Sequence, residues 1–125
     1  MKIKLLSMLF VFISFYSNAA APTCSSQHGG YCSYSGSVKS IYVNKGGSIL
    51  MYFDQAMSPS EPGKANMNVT QFSAGIINIS DNPEFAKMFY STALAAQSTG
   101  RNITIQMRGS QSGYPVIDRI WLSSK

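Results

Sequence analysis

The chain has 125 residues, ten basic and five acidic side chains, one histidine and two cysteines, which is room for one domain and too little for a second. Setting aside Lys2 and Lys4 from the formal +5 leaves +3 on the rest, with no basic run, so nucleic acid is a poor partner. The sequence also lacks G-x-S-x-G, H-E-x-x-H and phosphate-loop patterns, which argues against an enzyme and against a bound cofactor.

Residues 1–20 read as a secretory signal peptide. Two lysines precede an apolar run at positions 5–16, and small residues follow at a cleavage site after Ala19 or Ala21. The run is short for a membrane span, and no later stretch approaches ~20 apolar residues, so the expected product is a secreted or periplasmic domain of residues 21–125. In such a compartment Cys24 and Cys32 pair by default. The short loop between them gives roughly 2–3 kcal/mol in the chain-entropy model and is expected to order the N-terminus without stapling the core. His28 lies inside that loop. Cys24, His28 and Cys32 are too few ligands for a metal site, and His28 has no nearby carboxylate to make it a catalytic base.

Residues 36–43 (GSVKSIYV) predict a first strand, and the turn Asn44-Lys45-Gly46-Gly47 leads to a partner strand over 48–54. Ile49, Met51 and Phe53 then share one face. Leu50 and Tyr52 make the other face apolar too, so this strand is expected to be covered on both sides or to lie in an interface. A proline-containing loop spans 55–66, and a third strand falls within 67–79 as two pieces broken near Ser73-Ala74-Gly75.

The clearest element is a helix over 81–98. Asn82 suits the N-cap, Pro83 the first helical position, Glu84 the positive dipole end and Gly100 the left-handed position that ends it. Phe85, Met88, Phe89, Thr92, Ala95 and Ala96 form its expected buried stripe. Ile103, Ile105 and Met107 alternate with Thr104, Gln106 and Arg108 in a fourth strand, and a turn over 109–113 leads to a fifth strand over 116–122. There Ile117, Arg119 and Trp121 oppose Val116, Asp118, Ile120 and Leu122, so Asp118 and Arg119 should point apart and not pair. Five short strands with one helix between strands three and four fit a mainly β fold, the five-stranded Greek-key barrel of the OB type.

Three stretches in this order resemble the B subunits of AB5 toxins, in the branch of subtilase cytotoxin and typhoid toxin related to pertussis toxin. They are Tyr34-Ser35-Gly36, residues 90–105 (YSTALAAQSTGRNITI) and Gly113-Tyr114-Pro115. The resemblance implies an OB-fold protomer, a ring of five, a sialylated cell-surface glycan as ligand and a catalytic A subunit as partner. It places Ser35 at the serine that bonds the sugar acid, with Tyr34, Met107 and Tyr114 around it. Met107 stands where such subunits carry a tyrosine, and their disulfide between the second and third strands is absent here. The aromatics Tyr31, Tyr34, Tyr42, Tyr52, Tyr114 and Trp121 suit a sugar platform, although for each one filling a small barrel or edging its interface is the favoured reading. The function expected is a secreted, non-catalytic glycan-binding module. The alternative is an exported protein that binds a protein or envelope component and no sugar.

The alanines at 93, 95 and 96 make the helix small on more than one side, which would allow close approach of a second copy. With the apolar strand they name an expected oligomer interface of Ile49, Met51, Phe53, Ala93 and Ala96. Light scattering of the mature protein at micromolar concentration should give about five protomer masses, and a single protomer mass counts against the ring.

Overall fold

Alternation and turn chemistry resolve into seven strands and one helix in the computed structural model, which describes residues 20–124 together with Leu9 and Val11. The expected leader therefore lies almost wholly outside the described residues. The strands are β1 (Thr23–Ser25), β2 (Tyr31–Gly36), β3 (Ser40–Val43), β4 (Ser48–Tyr52), β5 (Ala74–Asn78), β6 (Ile103–Gln111) and β7 (Tyr114–Leu122), with α1 (Pro83–Thr99) between β5 and β6. They form one mixed sheet in the order β1-β2-β6-β7-β5-β4-β3. The β5–β7 pair is parallel and the other neighbours are antiparallel. No helix among the described residues is long and apolar enough to cross a membrane.

The mainly β class with one helix agrees with the sequence reading, but the strand count and helix position do not. The expected first strand over 36–43 breaks at a corner over residues 37–39: only β3 remains of it, while Gly36 ends β2, a strand that begins earlier, at Tyr31, and lies near the opposite end of the sheet order. The cysteine segment supplies a further strand, β1, in register with Cys24 opposite Cys32. The helix accordingly follows the fifth strand, not the third. The third predicted strand is a single piece, β5. Residues ahead of it are held instead by loop hydrogen bonds such as Met57 N to Phe72 O at 2.8 Å and Phe53 N to Ser73 O at 3.0 Å.

The helix ends match their sequence signals. Asn82 Oδ1 accepts from Phe85 N at 3.0 Å, Pro83 opens the helix, and Gly100 takes φ 65° with its amide bonded to Ala96 O. Its buried stripe differs from the expected one. Ala86, Phe89, Ala93 and Ala96 face the sheet, whereas Met88 is 69 % exposed and Ala95 also points outward. Three alanines on that face let the helix axis approach the strands closely, and Phe89, with the partly buried Phe85 beside it, supplies the bulk. Phe85, Phe89 and Ala96 of the expected stripe therefore do face the core. Below it lie Cys32, Tyr34, Ile49, Met51, Phe53, Ile77, Ile103, Ile105, Met107 and Ile117, the main core. A smaller cluster of Leu50, Ala74 and Ile76, flanked by Tyr52, Tyr114 and Val116, covers the opposite face of β4, β5 and β7.

The disulfide Cys24–Cys32 forms as expected, but its surroundings differ. Cys32 is fully buried, and the two sulfurs contact Met57 and Met67 at 3.6 Å each, so the bridge is part of the core wall. A second departure comes from β7. Met107 pairs with Ile117 but Gln106 pairs with Arg119, leaving Asp118 as an extra residue. This bulge inverts the alternation, so Ile117 shares the core face with Ile120 and Leu122, and Arg119 and Trp121 share the outer face.

The corner between β2 and β3 is fastened by a clasp. Tyr34, fully buried, donates its phenol proton to Ser37 O at 2.8 Å and accepts from Asp54 N at 3.1 Å. The Asp54 carboxylate accepts from Ser37 Oγ at 2.5 Å and from Ser37 N at 3.4 Å. Gly36 makes room for this, since a Cβ there would stand 2.6 Å from the Tyr34 hydroxyl and 2.8 Å from Asp54 Oδ2. Burial, aided by the Asp54 charge, pushes the Tyr34 phenol up to about 12. Burial also acts to raise Asp54, but the hydrogen bonds from the Ser37 hydroxyl and amide outweigh it and hold its carboxyl below the ordinary value.

Tyr34→Phe should cost about 1–3 kcal/mol at neutral pH, because it keeps the ring but removes the partner of two part-buried backbone groups. An unfolded phenol ionises near ~10 and the folded one only near about 12, so the wild type should hold its stability below ~10 and lose it as pH rises through that window. Urea unfolding at neutral and alkaline pH checks both, since the variant should lack this alkaline component.

Candidate functional site

The outer face of β2, β6 and β7 carries the polar side chains that alternate with the core. Cross-strand register arranges them in rows. Ser35, Thr104 and Trp121 form one row, and Ser33, Gln106 and Arg119 form the next. Directly opposed residues on antiparallel strands hold their Cβ atoms ~5 Å apart, so each row is a continuous strip.

In the first row Ser35 is exposed and its hydroxyl lies 2.8 Å from Thr104 Oγ1. One hydroxyl donates to the other, which leaves one proton and spare lone pairs for a ligand. Trp121 closes the row as a 48 % exposed indole. In the second row Gln106 Oε1 is buried with no hydrogen-bond partner, an acceptor aligned with the same surface.

Beyond the second row stands a charged group. Arg108 spans four contacts: Nη1 donates to His28 O at 2.6 Å and to Gly30 O at 3.3 Å, Nε lies 3.3 Å from Asp118 Oδ2, and the guanidinium sits 5.5 Å from the centre of the Tyr31 ring. Asp118 is shared, with its Oδ1 3.4 Å from Arg119 Nε. The expectation that Asp118 and Arg119 point apart is thus corrected, because the bulge turns Asp118 out of the alternation. Two arginines against one carboxylate leave this end of the face positive. His28 contributes its carbonyl to the Arg108 contact, and among the described residues no cluster of His, Cys, Asp or Glu could hold a metal ion.

The four residues expected around the glycan do not come together. Ser35 lies open on the outer face, but Tyr34 and Met107 are fully buried on the core face, where Tyr34 serves the clasp. Tyr114 is on the outer side but seven residues from Trp121 along β7, roughly 20 Å at ~3.3 Å per residue. It packs with Tyr52 and Val116 and cannot share one sugar with Ser35. Thr104, Gln106 and Arg119 were not singled out from sequence as ligand-facing residues. The alternation of β6 could have shown the first two, since they face away from Ile103, Ile105 and Met107.

The expected oligomer residues are likewise taken up within the protomer. Ile49, Met51, Phe53, Ala93 and Ala96 are all buried in the main core. Apolar surface remains nearby at Tyr42 and Val43 on β3 and at Met88, Tyr90 and Leu94 on α1. Between β3 and the helix lies a groove of about 290 Å³ lined by Val43, Ile49, Ile79, Ala86, Lys87 and Tyr90.

Searches against protein-family models, curated proteins and solved structures found no match to this chain.

Replacing Arg108 with alanine should cost about 1.5–3 kcal/mol, because charge-assisted bonds to the cysteine loop and to Asp118 are lost together. Hydrogen exchange should quicken at residues 27–30 while the β6–β7 amides beyond the bulge stay protected.

Proposed function

We propose that this chain is a secreted, non-catalytic glycan-binding module whose ligand lies across the Ser35–Thr104–Trp121 row. The observation that carries this reading is an exposed indole in register with a paired set of hydroxyls. Sugar sites combine an apolar platform for the ring with a few fixed polar groups that orient it. Arg119, exposed in the neighbouring row, supports an acidic sugar such as a sialic acid.

The same reading takes the architecture as OB-like. What supports it is that β2 and β3 are consecutive halves of one bent segment at opposite ends of the sheet, that β5 and β7 run parallel, and that the helix enters β6. It also takes the protein as a delivery-type subunit of a toxin, assembled as a ring of five with a catalytic partner. Within that ring the apolar residues Tyr42, Val43, Met88, Tyr90 and Leu94 replace the buried ones as the contact surface between copies. A second reading rests on the groove beside Tyr90, whose apolar lining suits a protein segment and no sugar.

A glycan array with the mature protein tests the leading reading, with binding expected on sialylated structures. Trp121→Ala should lower that binding at least tenfold and Ser35→Ala about three- to tenfold, each with stability within about 1 kcal/mol of wild type. Absence of binding to every sialylated and neutral glycan, or unchanged binding by both variants, would overturn it in favour of the protein-binding alternative.

A further inference from the structure

The outer face continues from β7 across β5 and β4 to β3, and there it carries a hollow. Cross-strand register sets Tyr42, Leu50, Ile76 and Val116 in line across these four strands. Leu50 and Ile76 are buried and form the floor, while Tyr42, Tyr52 and Tyr114 stand around it as walls. The space they enclose is about 390 Å³, within the range of about 300–1,000 Å³ that small-molecule sites occupy. Tyr114, expected beside Ser35, belongs to this hollow instead.

The polar groups of the lining are held by their own loops. Asn44 Oδ1 accepts from Ser48 N at 3.2 Å, and Asn44 N donates to Ser48 O at 3.1 Å, which fixes the turn between β3 and β4. On the opposite wall the turn between β6 and β7 carries Ser112 and leads into Tyr114. Gly113 O in that turn accepts from Thr70 N and Gln71 N at 2.9 Å each, so the wall is anchored to a distant loop. Among the described residues, the bond between Ser48 N and Asn44 Oδ1 is the one hydrogen bond made by any side chain of the lining. The hydroxyls of its tyrosines and serines, together with the Asn44 NH2, are therefore left for a ligand.

Charge narrows the choice of ligand. None of the lining residues is an acid, a lysine, an arginine or a histidine, so a charged ligand would give up its hydration without a counter-ion. A purely apolar ligand would bury these hydroxyls without partners, at a cost for each. A pyranose meets both conditions, because its C–H face packs on an aromatic ring and its hydroxyls both donate and accept. We propose that this hollow is a second carbohydrate site, which takes an uncharged hexopyranose. Tyr52 and Tyr114 supply the faces on which the ring lies, and Asn44, Ser48 and Ser112 orient its hydroxyls. Trp121 lies roughly 20 Å from Tyr114 along β7, at ~3.3 Å per residue, so one monosaccharide cannot touch both sites. The hexose site and the acidic-sugar row therefore stand or fall separately.

Amide chemical shifts of the isotope-labelled exported protein provide the test, with methyl β-galactopyranoside and methyl β-glucopyranoside in millimolar excess as probes. Saturable shifts are expected at residues 44–48, 52 and 112–114 with at least one of them. N-acetylneuraminic acid should leave those amides unmoved, whatever it does at Trp121. Tyr52→Ala and Tyr114→Ala should each weaken hexoside binding at least about tenfold, while Trp121→Ala should bind it as the wild type does. Both tyrosines pack on the floor of the hollow, and their loss could loosen the sheet. Tyr52→Phe and Ser112→Ala therefore serve as milder variants, each expected to weaken binding about three- to tenfold. Tyr42 is left unchanged because it also belongs to the contact surface proposed between copies. The proposal is overturned by the absence of saturable shifts at these residues with both hexosides, by shifts there with the acidic sugar, by loss of hexoside binding in Trp121→Ala, or by unchanged binding in all the tyrosine and serine variants.

Discussion

One phenolic hydroxyl and one carboxylate hold the corner on which the sheet depends. Between β2 and β3 the chain leaves one end of the sheet order and takes up the other, and no ladder hydrogen bond can span that change. Tyr34 fills the gap from inside the core, donating to Ser37 O and accepting from Asp54 N, while Asp54 closes over Ser37 from outside. Buried backbone groups must find partners, and here side chains supply them. Gly36 is required for the same reason, since any larger residue would fill the space the phenol and carboxylate occupy.

The helix packs on the sheet through small side chains. Ala86, Ala93 and Ala96 let it sit low on the strands, with Phe89 and, at its edge, Phe85 as its large contacts. Of the bulky residues that helical spacing alone would have turned inward, Met88 is displaced outward. The protomer thus hides the small side chains that a symmetric contact between copies would have used, and it leaves Tyr90, Leu94 and the β3 edge exposed in their place.

The outer face depends on a bulge. Without the extra residue at Asp118, strict alternation would put Ile120 on the Ser35 side and Trp121 in the core. With it, the indole joins the hydroxyl row, and Asp118 is drawn between Arg108 and Arg119. The same irregularity therefore provides the apolar platform and the charge of the candidate site.

Local chemistry was legible in the sequence wherever one residue determines one backbone event. Asn82, Pro83 and Gly100 bound the helix because capping, ring-fixed φ and left-handed geometry are properties of those residues alone. The Asn44–Gly47 turn, the Cys24–Cys32 bridge and the alternation of β6 followed for similar reasons. Tertiary structure decided the remainder. Whether Met88 or Ala93 turns inward depends on how closely a helix can approach a particular sheet. Whether Trp121 faces ligand or core depends on one unpaired residue in a ladder, and whether Tyr34 is a site wall or a clasp depends on Asp54, twenty positions away. Each of these choices is made by a contact between distant segments, which composition and periodicity do not encode.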